Sequence, residues 1–159
     1  GAASRMMQRL GSCYTAAVNK TYRRTGSLWE GRFHSSLVDS EHYVLACYRY
    51  IELNPIRAGM VNHPREYRWP SYRHHAERFG EWPLKPRHEW LALGQLPAER
   101  RRRHEDLVAS GLSDDDLRRI RYGTKKGLPT GSEHFKAKIE QALQIRIGNG
   151  RRGRPRKGL

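Results

Sequence analysis

The stretch Tyr48-Arg-Tyr-Ile-Glu-Leu-Asn-Pro-Ile-Arg57 constrains the fold of this chain more than any other, because it sets both a helix and the place where that helix must stop. Proline has no amide hydrogen and clashes inside a helix, but it suits the first position of a new one. The pattern therefore predicts a helix over 40–53 capped by Asp39 or Ser40. A second cap follows at Asn54, with Pro55 opening a short helical turn that Gly59 closes. On the longer helix Tyr43, Cys47, Tyr50 and Asn54 fall on one side, while Val44, Tyr48 and Ile51 form a neighbouring stripe. One stripe can pack while the other lines a site.

Before this segment, Met7, Leu10, Tyr14, Ala17, Val18 and Tyr22 recur at helical spacing, which predicts a helix over 4–24 with Ser4 as N-cap and Gly26 as its stop. Residues 29–38 alternate Trp29, Gly31, Phe33, Ser35 and Leu37 against polar neighbours, as a strand with one buried face would. After residue 61, Pro64, Pro70, Pro83 and Pro86 divide the chain into short pieces. Helices are expected over 71–78, 87–95, 98–109, 113–126 and 132–146, the last two capped by Ser113 and Ser132.

Lys and Arg number 31 against 16 Asp and Glu, a net charge of +15 that favours polyanionic partners and repels further copies of the chain. Nucleic acid is the expected partner. With only 36% apolar residues the core must be modest. No apolar run is long enough for a membrane span and Gly1-Ala-Ala-Ser-Arg5 lacks a signal-peptide core, so the expected setting is cytoplasmic, with no membrane partner. Cys13 and Cys47 have no metal-ligand spacing and read as reduced thiols.

Taken with Gly26-Ser-Leu-Trp-Glu-Gly-Arg-Phe33 upstream, and with Arg57-Ala-Gly-Met-Val61 and Trp69-Pro-Ser-Tyr72 downstream, the 48–57 stretch closely resembles the REP-associated tyrosine transposases of the HUH single-tyrosine superfamily. The resemblance implies an α+β fold, mainly helical as it stands. Residues 1–80 would be the C-terminal half of a ferredoxin-like catalytic domain, 81–147 a helical extension and 148–159 a basic tail. It also implies cleavage and rejoining of single-stranded DNA at REP-type hairpins through a 5'-phosphotyrosine. Tyr50 stands in the place of the nucleophile, and Tyr48 is its competitor. Because a phenol has a pKa near 10, the family relies on a divalent ion, Mg²⁺ or Mn²⁺, to polarise the phosphate. Asn54 matches the third ligand of that ion, and the other two ligands would be histidines of a His-hydrophobe-His motif.

That motif is missing. None of the eight histidines pairs with another across one hydrophobic residue, and His74 and His75 are adjacent. The expectation is a truncated piece whose preceding segment held the metal ligands, so that a complementing N-terminal segment is a candidate partner. Such a chain would bind DNA without nicking it unaided. On spacing alone, Tyr50 reads as a packing residue with a satisfied hydroxyl and Asn54 as a helix cap.

Arg23, Arg24, Trp29 and Arg32 combine guanidiniums with an aromatic face on which an unpaired base could stack; the competing reading makes Trp29 the start of a buried strand face. The run Arg100 to Arg103 spreads around a helix and reads mainly as solvated. The last twelve residues carry Arg151, Arg152, Arg154, Arg156 and Lys157 with no acid, too polar to fold alone. Within them Arg152-Gly-Arg-Pro155 matches the AT-hook core that lies in the minor groove, and a generic polycationic clamp explains the same residues. Residues 113–146 permit a helix-turn-helix. Two further readings stand beside the transposase: a non-catalytic DNA-binding remnant and a basic RNA-binding protein.

Overall fold

The structure is a computed structural model that describes residues 1–39, 43–77 and 84–147. Their chain divides into two compact units, one ending at Ser35 and the other beginning at Ser36. The tail with its five basic residues lies outside the described residues, as do Ser40 and the start of the helix expected at 40.

The first unit is a single long helix with a returning segment. Helix α1 runs Ala2–Thr21; Ser4 is not its cap, since the helix begins after Gly1 without a side-chain capping bond. It closes at Tyr22 and Arg23, where Arg23 takes a left-handed φ of 49° and the Arg24 amide donates back to the Asn19 carbonyl at 3.0 Å. Gly11, a weak helix former, has a packing reason to be there. A β-carbon at this position would come within 3.3 Å of Trp29 Nε1, and Tyr14 adds a ring contact to Trp29 at 6.1 Å. No residue of α1 is fully buried, and Met6, Leu10 and Tyr14 are all more than half exposed.

The expected strand over 29–38 does not form. Its supposed buried face, Trp29, Phe33 and Leu37, is 55%, 46% and 52% exposed, and the segment has only one isolated parallel bridge, from Val38 to Thr130. Alternation supports a strand only where a second strand offers its hydrogen bonds and its face. Among the described residues there is no sheet, so the α+β, ferredoxin-like expectation is corrected to an all-helical architecture.

The second unit carries the core. It contains α2 (Val44–Glu52), α3 (Asn54–Arg57), a 3₁₀ turn (Pro64–Glu66), α4 (Tyr72–Glu77), α5 (His88–Leu91), α6 (Pro97–Ala109), α7 (Asp114–Lys126) and α8 (Glu133–Leu143). The serine caps are where sequence places them: Ser113 Oγ accepts from the Asp116 amide at 3.1 Å and Ser132 Oγ from the Phe135 amide at 3.2 Å. Gly127, at φ 66°, ends α7 in the left-handed region. Tyr72, Ala76 and Val108 form the buried apolar centre where α4 meets α6, with Leu53 packed against them.

Asn54 is not a cap. Leu53 takes that position in right-handed helical conformation, so α2 passes into α3 with little break, and Gly59 closes the turn at φ 67°. Asp39 also has a different task from capping α2, because its Oδ2 accepts from both the amide and the hydroxyl of Ser132 and so holds the start of α8. Around it, Ser36 Oγ donates to the Leu128 carbonyl at 2.5 Å, and the Thr130 amide donates to Leu37 O at 2.8 Å. Gly123 makes room for this clasp, since a β-carbon there would lie 2.2 Å from Thr130 Oγ1. The connection between α7 and α8, which sequence allows as the turn of a DNA-reading motif, is used here to hold residues 36–39.

Candidate functional site

Helix α2 lies among α5, α6 and α7, and its two sides meet different chemistry. Glu52 is fully buried and faces inward. One carboxylate oxygen accepts from Ser71 Oγ at 2.5 Å and from His75 Nδ1 at 2.9 Å, while the other accepts from His104 Nε2 at 2.8 Å. Burial alone would raise the pKa of this carboxyl, but the hydrogen bonds from His104, His75 and Ser71 outweigh it and hold the group at about 2. Tyr48, one turn before Glu52, stacks on the His75 ring at 4.7 Å, and Trp90 approaches the same ring at 5.5 Å. His104 Nδ1 is buried without a hydrogen-bond partner among the described residues.

Tyr48 is therefore committed to packing, and burial pushes its hydroxyl upward in pKa. Tyr50, two residues on and about 200° further round the helix, is half-buried on the other side. The Arg57 guanidinium lies 4.9 Å from the Tyr50 ring centroid and also donates to the Tyr50 backbone carbonyl. Arg57 is held below the usual guanidinium range by burial; the Tyr50 phenol opposes that shift and the nearby charge of Arg121 adds to it. Arg121 extends from α7, which packs along this side of α2 and brings Arg119 Nη1 to 3.4 Å from the Tyr43 hydroxyl. Asn54 is exposed.

Of the remaining residues singled out by sequence, Arg23, Arg24, Trp29 and Arg32 all belong to the first unit and are exposed apart from the Trp29 contact with α1. Arg100 and Arg103 turn inward in function if not in position: Arg100 donates to the carbonyls of Gly94 and Gln95, and Arg103 to that of Leu93, each at 2.7 Å. They close the loop between α5 and α6. Cys13 and Cys47 are free thiols.

A divalent ion of the kind the resemblance implies would need ligands beside Tyr50 and Asn54. Among the described residues the only group of His, Cys, Asp or Glu with metal-ligand spacing is Glu52, His75 and His104, whose ligand atoms lie within 4.8 Å of one another. That group is on the opposite side of α2 from Tyr50. Its three atoms could in principle surround an ion, but each ring nitrogen already meets its own carboxylate oxygen at hydrogen-bond distance. The residues present thus do not fit a catalytic metal at Tyr50, and no step through one is derived.

Sequence reading missed the Glu52 cluster. The available signal was an acid placed four residues after Tyr48, on the packing stripe, where an unpaired charge would be too costly to bury. Comparison with known protein families, curated proteins and solved structures gives no match.

Proposed function

We propose that this chain binds single-stranded or hairpin DNA in the manner of a REP-associated tyrosine transposase, with Tyr50 at the centre of the strand-binding site. Taken alone it does not cleave the strand. The observation that supports this reading best is the half-buried Tyr50 phenol with the Arg57 guanidinium over its ring, on a chain of net charge +15. A phenol beside a guanidinium is suited to meeting a phosphodiester, because Arg supplies both charge and a planar fork of donors. The motif resemblance supports Tyr50 as the family's nucleophile and Asn54 as the residue that would complete a metal shell.

The group with metal-ligand spacing, Glu52, His75 and His104, is on the other side of α2 from Tyr50, which supports the non-catalytic form of the reading. A partner segment bearing two histidines would restore cleavage. The test is incubation with Mg²⁺ or Mn²⁺ and an end-labelled DNA hairpin, followed by denaturing electrophoresis. The expected result is a retarded complex on native gels and no covalent adduct. An adduct that disappears in Tyr50→Phe would overturn the non-catalytic reading and establish the nucleophile. Stronger retention of an RNA hairpin than of its DNA counterpart would replace the whole proposal with an RNA-binding function.

A further inference from the structure

In the first unit, helix α1 and the segment returning from it enclose an open groove of about 1480 Å³, which follows the helix from Ser4 to Asn19 and has Trp29 to His34 as its other wall. Local bonds hold that wall in place. Asn19 Nδ2 donates to the Gly26 carbonyl at 3.0 Å, and Ser27 Oγ both donates to the Trp29 carbonyl and accepts from the Trp29 amide at 3.0 Å. The groove is larger than the roughly 300–1,000 Å³ of a small-molecule pocket, so it suits a length of chain. Tyr14, Trp29 and Phe33 line it and are 55%, 55% and 46% exposed. Beside these rings α1 presents Ser4, Gln8, Ser12 and Thr15, polar groups that a helix facing a protein core does not offer on its buried stripe.

Charge selects the occupant. Residues 1–35 hold six Lys or Arg against Glu30 alone, a net +5. Arg5, Arg9 and Lys20 follow one another at offsets of four and eleven, which places them on one side of α1 over about 22 Å. Ser12 and Ala16 of the groove lining fall in the same sector of the helix, and Arg32 belongs to the opposite wall. A second copy of the chain would bring like charges together here, whereas an anionic strand neutralises them. Unpaired bases stack on aromatic rings without regard to sequence, while cations along the groove track the phosphates. We infer that this groove holds a short run of single-stranded DNA, with bases on Trp29 and Phe33 and phosphates along Arg5, Arg9 and Lys20. This rests on the single-strand reading above and adds to it a contact region in the first unit.

Titration of the full chain with fluorescently labelled oligothymidylate, followed by anisotropy over a range of salt, tests the groove. Trp29→Ala should weaken binding by about five-fold or more, the loss of one stacked base, and leave the slope of log affinity against log salt unchanged. Phe33→Ala should act in the same way, and Trp29→Phe, which keeps a ring at that place, should recover part of the loss. Arg9→Gln should make the slope shallower by about 0.7, the value for one phosphate contact on a single strand. Trp69→Ala is the control, because Trp69 is 65% exposed in the second unit, and it should bind as the wild type does. Equal losses in Trp29→Ala and Trp69→Ala would overturn the groove in favour of any exposed ring. A wild-type dimer in sedimentation that Trp29→Ala dissociates would assign the groove to a second copy instead. Wild-type affinity in both Trp29→Ala and Phe33→Ala would overturn the groove and leave the Tyr50 reading standing. No binding by the wild-type chain at low salt would defeat both.

Discussion

Glu52 and Tyr50 are two residues apart on one helix and meet opposite conditions. Glu52 has no exposed surface, and both its oxygens are taken by donors from α4, α6 and the residue preceding α4. Tyr50 remains half open, and its close neighbour is a cation rather than a hydrogen-bond acceptor. The Glu52 side has its polar requirements met by the fold itself, so its replacement should damage stability. The Tyr50 side keeps positive charge without an internal counter-charge, so its replacement should damage ligand binding and leave the fold intact. A polar group's neighbours, more than its residue type, separate a structural role from a functional one.

The sharpest way to break this contrast is Glu52→Ala. It leaves two ring N–H groups and a serine hydroxyl without their acceptor, and the expected loss is roughly 3–5 kcal/mol in urea denaturation at neutral pH. A change within about 0.5 kcal/mol, the size of an ordinary surface substitution, would show that the cluster does not organise the core.

Acid should act through the same group. The folded-state pKa of Glu52 is lowered from an ordinary 4.5 to about 2, so its contribution is complete above pH 4.5 and is lost as pH falls toward 2. The shift corresponds to roughly 3 kcal/mol at full ionisation. Circular dichroism across that range should show a stability slope that Glu52→Gln flattens; identical slopes in the two proteins would place the acid sensitivity elsewhere.

Ser71→Ala removes one donor to the carboxylate and should cost roughly 2 kcal/mol, with the two histidine bonds retained. Its effect should not add to that of Glu52→Ala, because both remove the same hydrogen bond; full additivity in the double variant would mean that Ser71 acts through something else. Tyr50→Phe is the smallest expected change. It keeps the ring under Arg57 and should alter stability by no more than about 0.5 kcal/mol. A loss as large as that of Ser71→Ala would make Tyr50 a packing residue after all.

Helix positions were well marked in the sequence wherever local chemistry decides them. Ser113 and Ser132 cap α7 and α8 because a serine oxygen can satisfy a nearby amide with no help from the rest of the chain. The strand expected over 29–38 failed for the converse reason, since alternation says nothing about whether a partner strand exists. Asn54 was expected as a cap because Asn-Pro often starts a helix, and it lost that role when Leu53 stayed helical. The separation of Tyr50 from Tyr48 followed from helix geometry alone. The packing of α7 on α2 was not readable, because the two helices are far apart along the chain.

By itself the sequence determined local facts: roughly which segments are helical, the serine starts of α7 and α8, the glycine that ends α7, and a net charge of +15. Those features depend on interactions across a few residues or on a simple count. Only the tertiary structure decided that Glu52, His75 and His104 meet and that the Arg57 guanidinium lies over the Tyr50 ring. Contacts between distant segments depend on how whole helix faces pack, and that is a property of all the faces together rather than of any one stretch.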